Sequence, residues 1–261
     1  MPETTVLLAH EGPVCVITLH RPAALNSFTA EMHGQLLAAL NAAADDTEVR
    51  AVLITGSGRG FCAGQDLNDP AMVGSAADVG GVIERYYRPL ALRVRSMPVP
   101  VVVAVNGVAA GAGANFALCA DLVLAARSAS FIQAFSKIGL VPDCGGTWLL
   151  PRLVGRARAL GLAMLGEKLP AEEAQRIGLI WQVVDDAALM SSALALAQRL
   201  AALPAKALVA TRRALDEAAP MDFGDALALE ATLQGELGRG ADFAEGVAAF
   251  LGKRAPLFTE R

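Results

Sequence analysis

The stretch Val101–Asp121, which reads VVVAVNGVAAGAGANFALCAD, constrains the fold more than any other part of the chain. It starts as a short run of β-branched and small apolar side chains, which is typical of a buried strand. Asn106 and Gly107 interrupt the run, further glycines follow, and the small apolar residues 114–120 favour a closely packed helix. A glycine-rich bend between a strand and a helix start directs free backbone N–H groups into a small space. This arrangement suits an oxygen atom that gains negative charge during a reaction.

Three other interpretations of this stretch remain open at this point. Residues 96–120 carry no charge, which fits a membrane span, but two prolines, two asparagines and three glycines argue against it. The glycines also fit close helix packing alone, and this stretch does not separate packing from an anion site. A dinucleotide or phosphate loop is disfavoured, because Gly107, Gly111 and Gly113 do not follow the G-x-G-x-x-G order and no Lys-Ser/Thr follows.

The composition limits the class of protein. Of the 261 residues, 54% are hydrophobic and 18% are charged, which is enough to bury a large core and to leave apolar surface for other subunits. The net charge of −4 gives no general attraction for nucleic acid. Met1–Leu8 lacks the basic start and apolar run of a secretory signal. We expect a cytoplasmic protein with no structural metal, because the histidines and the cysteines show no ligand spacing; the cysteines are Cys15, Cys62, Cys119 and Cys144.

Hydrophobic periodicity predicts an α/β chain with a β-rich core and helices between layers, not a simple Rossmann alternation. A helix begins after Thr29, a residue type that caps helix N-termini. The C-terminal part has the pattern of several amphipathic helices, which we expect to dock on the core or on a neighbouring subunit. The predicted strands are Val14–Leu19, Val49–Thr55, Val101–Val105, Leu122–Ala125, Ser130–Gln133 and Trp181–Val184, and the predicted C-terminal helices are Ala187–Leu203, Ala205–Ala218, Asp225–Leu237 and Phe243–Leu251.

A second glycine-rich loop, Gly56–Leu67, follows the strand Val49–Thr55. It does not match G-x-G-x-x-G either, because Phe61 stands where the last glycine would be. Taken alone, the loop fits a series of turns whose glycines adopt positive φ. Two glycine-rich strand exits can nevertheless supply two converging N–H donors, which is how an oxyanion hole is made.

Asp143 is the candidate acid/base. It stands in a Pro-Asp turn before a predicted helix, where an aspartate usually serves as a cap. Its apolar neighbours would also raise its pKa toward a value useful for proton transfer. A pocket at this point would be lined partly by residues 69–87, Phe135 and Trp148.

Together these segments resemble the crotonase (enoyl-CoA hydratase/isomerase) superfamily over essentially the whole chain. The resemblance implies a spiral of ββα units, with a core over residues 1–190 and a C-terminal helical trimerisation region over 191–261. The assembly would be a homotrimer or a dimer of trimers. The residues that carry the resemblance are Arg21-Pro22 with Ala24-Leu25-Asn26, and the runs 61–67 (FCAGQDL), 104–113 (AVNGVAAGAG) and 139–147 (GLVPDCGGT).

The resemblance also implies roles for individual residues. The backbone N–H groups of Gln65 and Ala112 would hold the thioester oxygen of an acyl-CoA as it becomes an enolate. Coenzyme A is then part of the substrate, and no separate cofactor is expected. The remaining predicted CoA contacts are Ala24, Ala63, Asp66 and Leu67, with Phe250 and Lys253 reaching CoA within one subunit or from a neighbour.

Two positions depart from the hydratase pattern. Hydratases of this superfamily place two glutamates over the substrate, and those positions here are Asn115 and Phe135. Asp143 is the carboxylate that remains, and a single acid/base beside an oxyanion hole favours moving a proton between carbons, which is isomerase chemistry. The runs 58–68, 134–137, 142–152 and 180–186 are similar to the branch that isomerises ring-1,2-epoxyphenylacetyl-CoA to a seven-membered oxepin-CoA and shifts 3-enoyl-CoA double bonds to the 2-position.

Three rival functions follow from the same superfamily. A 2-enoyl-CoA hydratase is disfavoured by the missing glutamates. An aspartate near this position acts in some members as a nucleophile, which halide release from an aryl-CoA would reveal. Some crotonase-fold proteins bind RNA, but neither a basic stripe nor a positive net charge is present. No membrane or nucleic-acid partner is expected.

Overall fold

Two sheets form the core, and the chain alternates between them. A computed structural model describes residues 3–69 and 78–261. The larger sheet has six strands in the order β1-β2-β3-β5-β7-β10, and the smaller has four in the order β4-β6-β8-β9. The strands are β1 (Val6–Glu11), β2 (Val14–Leu19), β3 (Ala51–Gly56), β4 (Gly60–Cys62), β5 (Val101–Val105), β6 (Val108–Ala110), β7 (Leu122–Ala126), β8 (Ser130–Ile132), β9 (Lys168–Pro170) and β10 (Gln182–Val184).

Most strand pairs are parallel, with β1–β2 and β8–β9 antiparallel. Each of the pairs β3/β4, β5/β6 and β7/β8 places its first strand in the larger sheet and its second in the smaller, and a helical segment follows. This repeat confirms the predicted spiral of ββα units. Strands β3 and β5 are buried along their whole length, as expected for parallel strands covered on both faces.

Helices cover the sheets and extend beyond them. Helix α1 begins where predicted, because the Thr29 hydroxyl accepts a hydrogen bond of 3.2 Å from the Met32 N–H. A π-helical segment, Ile83–Tyr87, joins α2 to α3. Gly155 has non-helical angles and kinks α5. The helices are α1 (Ala30–Asp45), α2 (Val79–Val82), α3 (Arg88–Arg95), α4 (Ala112–Leu118), α5 (Gly146–Leu165), α6 (Ala171–Arg176), α7 (Leu189–Ala201), α8 (Ala205–Ala218), α9 (Phe223–Leu237) and α10 (Ala241–Leu251).

The C-terminal helices attach to the core through α7 and α8. Helix α7 packs on the larger sheet with Ala193, Ala197 and Ala201 buried against it. The division at residues 190 and 191 falls just inside this helix and stays a prediction. Among the described residues, no single helix is long and apolar enough to cross a membrane, although segments 186–201 and 205–218, bent by 102°, pass that test as a pair.

Arg212 of α8 fixes this attachment. Its guanidinium pairs with both carboxylate oxygens of Asp121, at 2.5 and 2.6 Å. It also donates to the carbonyl oxygens of Arg95, Met97 and Val99 at 2.7–3.0 Å. Only 12% of the Arg212 side chain is exposed. If the guanidinium were removed, little water could reach Asp121 and the three carbonyl oxygens to take over its hydrogen bonds.

We expect Arg212→Ala to lower the free energy of unfolding by about 3 kcal/mol, because it leaves Asp121 and three carbonyls without this partner. The matched control is Arg213→Ala, which removes an exposed pair with Glu217 and should cost at most about 0.5 kcal/mol. Urea unfolding of both variants measures the difference. Equal losses in the two variants would contradict the proposed attachment.

Candidate active site

A cavity of about 220 Å³ lies where the two glycine-rich strand exits meet. Gln65 from the first exit and Ala112 from the second line it, and Asp143 lines it as well. The predicted oxyanion donors and the predicted acid/base therefore share one cavity. Its remaining wall is largely apolar and includes Val79, Val82, Ile83, Ala134, Phe135, Ile138 and Leu140.

The first exit follows β4. The Phe28 N–H donates to the Gly64 carbonyl at 2.7 Å, and the Asp66 N–H donates to the Phe28 carbonyl at 2.9 Å. These two bonds form an isolated parallel bridge between Phe28 and Gln65. In such a bridge the N–H of Gln65 points away from the partner segment, so it stays available to a ligand.

The second exit follows β6. Ala112 is the first residue of α4, so its N–H has no acceptor inside the helix. Glycine at position 113 lets this turn approach β4, because a Cβ there would lie 2.4 Å from the Cys62 carbonyl oxygen. Within residues 3–69 and 78–261, neither the Gln65 nor the Ala112 N–H donates to a protein acceptor. Both are free to bind one oxygen atom.

The backbone of Asp143 is held by a buried polar network. The Asn115 amide donates to the Asp143 carbonyl at 2.9 Å, and the Gly146 N–H donates to the same oxygen at 2.8 Å. Gln133 in turn donates to the Asn115 side-chain oxygen at 2.8 Å. Asn115 is fully buried and anchors the turn, and it does not line the cavity.

The carboxyl group of Asp143 is not held in this way. Its Oδ1 atom is buried and accepts no hydrogen bond from the described residues. Burial raises the pKa of this carboxyl to about 6, because the charged form loses more stabilisation from hydration than it gains from a hydrogen bond to the backbone of Asp143 itself. A carboxyl with this pKa exchanges protons readily near neutral pH.

We expect kcat/KM to depend on the ionisation of Asp143. As a base the group must be a carboxylate, so activity should fall about tenfold per pH unit below about pH 6 and level off above it. If Asp143 had an ordinary pKa, the enzyme would keep nearly its full kcat/KM down to about pH 5. Initial rates between pH 4.5 and 8.5 with a 3-enoyl-CoA measure the profile, and a flat profile down to pH 5 would rule out a raised pKa.

Four of the predicted CoA contacts lie beside the cavity. Ala63 and Leu67 line it. The Ala63 N–H donates to the Leu25 carbonyl at 3.0 Å, which brings the turn containing Ala24 against this loop. Asp66 is paired with Arg21 at 3.0 Å.

Phe250 and Lys253 lie elsewhere. Both are exposed at the end of α10, Phe250 with 82% of its surface accessible. Neither lines the cavity that holds Asp143.

Tyr87, which belongs to the predicted lining 69–87, forms part of the cavity wall, but its bond to Gln65 was not predicted. Its hydroxyl donates to the Gln65 side-chain oxygen at 2.7 Å, and burial raises its pKa well above the usual range, so it remains a donor. Phe135 lines the cavity as expected, whereas Trp148 lies in a neighbouring cavity. Residues 70–77 of the predicted lining lie outside the described residues.

Comparison with known proteins identifies the family. A family model described as enoyl-CoA hydratase/isomerase matches residues 9–261. The chain belongs to the enoyl-CoA hydratase/isomerase family. It is 54% identical to the 1,2-epoxyphenylacetyl-CoA isomerase of Escherichia coli K12, over 97% of this chain and 98% of that protein.

Two other proteins that are similar to this chain are named as hydratases. The chain is 52% identical to a Rhodobacter capsulatus protein named "probable enoyl-CoA hydratase", over 95% of each chain. A crystal structure of an enoyl-CoA hydratase from Bacillus anthracis superposes with a TM-score of 0.93 at 29% identity, covering 99% of this chain and 100% of that one. In the described part of the chain, no group of three or more His, Cys, Asp or Glu residues is placed to hold a metal ion.

Proposed function

We propose that this enzyme isomerises acyl-CoA thioesters with Asp143 as its single acid/base. The observation that carries this proposal is the cavity that brings the Asp143 carboxyl together with the free N–H groups of Gln65 and Ala112. The two positions that hold glutamates in hydratases support it further. Asn115 is engaged in holding the Asp143 backbone, and Phe135 presents an apolar ring to the cavity.

The proposed reaction starts with the thioester oxygen bound to the two N–H groups. The Asp143 carboxylate removes a proton from the carbon next to the thioester, and the electron pair moves onto the thioester oxygen. For a 3-enoyl-CoA, the protonated Asp143 then returns the proton two carbons further along. The double bond moves from the 3-position to the 2-position, and no atom is gained or lost.

We also propose that the natural substrate is ring-1,2-epoxyphenylacetyl-CoA, which would become a seven-membered oxepin-CoA. Support comes from the 54% identity to a relative named for this epoxide. Removal of the proton next to the thioester by Asp143 is the step shared with the enoyl reaction.

Binding of the CoA portion completes the proposal. Ala24, Ala63, Asp66 and Leu67 would contact CoA from the same subunit. Phe250 and Lys253 would reach it from a neighbouring subunit, since both are exposed and neither lines the cavity of its own chain. The working enzyme would be a cytoplasmic homotrimer or dimer of trimers with no cofactor besides the CoA of its substrate.

A paired assay tests the function directly. The purified enzyme is given a 3-enoyl-CoA to measure isomerisation and a 2-enoyl-CoA to measure hydration. We expect isomerisation with negligible hydration. Strong hydration would instead support the hydratase function that the name of the Rhodobacter relative indicates. Halide release from a 4-halobenzoyl-CoA, with neither other activity, would assign Asp143 as a nucleophile.

A further inference from the structure

A second cavity adjoins the first behind a wall of two residues. It has a volume of about 300 Å³ and a largely apolar lining that includes Leu92, Cys119, Cys144 and Trp148. Ile83 and Tyr87 line both cavities. These two side chains therefore form the partition between the space that contains Asp143 and the space behind it.

The two partition residues are held differently. Tyr87 is fixed, because its hydroxyl is bonded to Gln65 and its ring packs edge-on against Phe28 and His33 at 5.7 and 4.4 Å. The Ile83 side chain has no polar atom and packs against the hydrophobic core, so its position depends on packing alone. Both belong to the π-helical segment Ile83–Tyr87, and such segments occur frequently at functional sites.

We propose that Ile83 determines which acyl groups this enzyme accepts by closing the distal end of the active-site cavity. A cavity of about 220 Å³ that must hold the thioester and the reacting carbons leaves room for a short chain or a single ring. A long linear chain would reach the second cavity only past the two partition side chains. The second cavity is adjacent and largely apolar, although Arg88 and Arg95 also line it, so it would hold such a chain once the Ile83 side chain is shortened.

This inference rests on the proposed acyl-CoA function, and a binding experiment separates it from the chemistry. Hexanoyl-CoA and dodecanoyl-CoA are saturated and do not react, so titration calorimetry measures how each chain length fits. The wild-type enzyme should bind dodecanoyl-CoA no more tightly than hexanoyl-CoA. In Ile83→Ala, the affinity for dodecanoyl-CoA relative to hexanoyl-CoA should rise by about tenfold or more, the gain expected from burying at least two additional methylene groups.

The matched control is Val79→Ala, because Val79 lines the first cavity and not the second. It enlarges the site without opening the partition, so its ratio of affinities should stay close to that of the wild type. Ile83→Val, a smaller change, should shift the ratio in the same direction to a lesser extent, and it serves as the test if Ile83→Ala does not fold. Rates with 3-hexenoyl-CoA and 3-dodecenoyl-CoA should follow the same order.

Two results would overturn the proposal. One is a wild-type enzyme that already binds dodecanoyl-CoA at least tenfold more tightly than hexanoyl-CoA, where about tenfold is the gain expected of an open partition. The other is an equal change of the ratio in Ile83→Ala and Val79→Ala. A shifted binding ratio without isomerisation of any 3-enoyl-CoA would support the partition and contradict the isomerase function instead.

Discussion

Replacement of Asp143 with asparagine is expected to lower isomerisation of a 3-enoyl-CoA by about a thousandfold. The asparagine keeps the size of the side chain but cannot take up and return a proton. The anchoring bonds to the position 143 carbonyl come from Asn115 and Gly146 and involve only the backbone, so they remain. The cavity should therefore stay intact while the chemistry stops.

Binding and stability measurements show whether the loss is chemical. The variant should bind hexanoyl-CoA with nearly wild-type affinity. Its thermal midpoint at pH 8 should be higher than that of the wild type, because a buried carboxylate with a raised pKa disfavours the folded state above its pKa. Removing that charge removes the penalty.

The matched control for Asp143→Asn is Glu84→Gln. Glu84 lies in the helical segment that forms the cavity wall, but it is exposed and paired with Arg88. Its substitution should leave the isomerisation rate unchanged. Near-normal turnover by Asp143→Asn would contradict the assignment of Asp143 as the acid/base.

Replacement of Gly64 with alanine is expected to lower kcat by about a hundredfold without changing any catalytic side chain. A Cβ at this position would lie 2.8 Å from the Ala110 carbonyl oxygen and 3.4 Å from the Ala112 nitrogen. The two strand exits would have to move apart. Gln65 follows directly, so the spacing of the two N–H groups that bind the thioester oxygen would be lost.

The conformation of Gly64 requires a control of its own. Its φ of +92° costs an alanine about 1–2 kcal/mol whatever the surrounding space. Gly12, in the turn between β1 and β2, has a φ of +61° and open space around its Cβ position. Gly12→Ala should therefore lose similar stability and keep full activity. If Gly64→Ala also keeps full activity, the close approach of the two exits does not matter for catalysis.

The elements that the sequence predicted well are those defined by local signals. The alternation in β2, the Thr29 cap of α1 and the apolar run of β5 depend on residues close together in the chain, and all three were confirmed. Strands β4, β6 and β9 were missed. Each has only three residues, and β4 and β6 lie inside the glycine-rich stretches, where turns were expected. Strand β1 was missed because five of its six residues are not buried.

The candidate site divides along the same line. The sequence predicted Gln65, Ala112 and Asp143 from two glycine-rich loops, a Pro-Asp turn and the family resemblance, and the structure places all three around one cavity. The sequence predicted only part of the role of Asn115. Its sequence position indicates a lost glutamate, but its contact with the Asp143 carbonyl, 28 residues away, is a product of packing.

The sequence by itself therefore determined the family and the spiral of strand pairs, because each depends on motifs with fixed spacing, and it predicted Asp143 as the acid/base. The tertiary structure alone decided how the cavity is closed. Tyr87 reaches Gln65 across 22 residues, Ile83 separates two cavities, and Trp148 lies on the far side of that partition. Contacts of this kind arise when distant segments pack together, and no local pattern of side chains records which segments will meet.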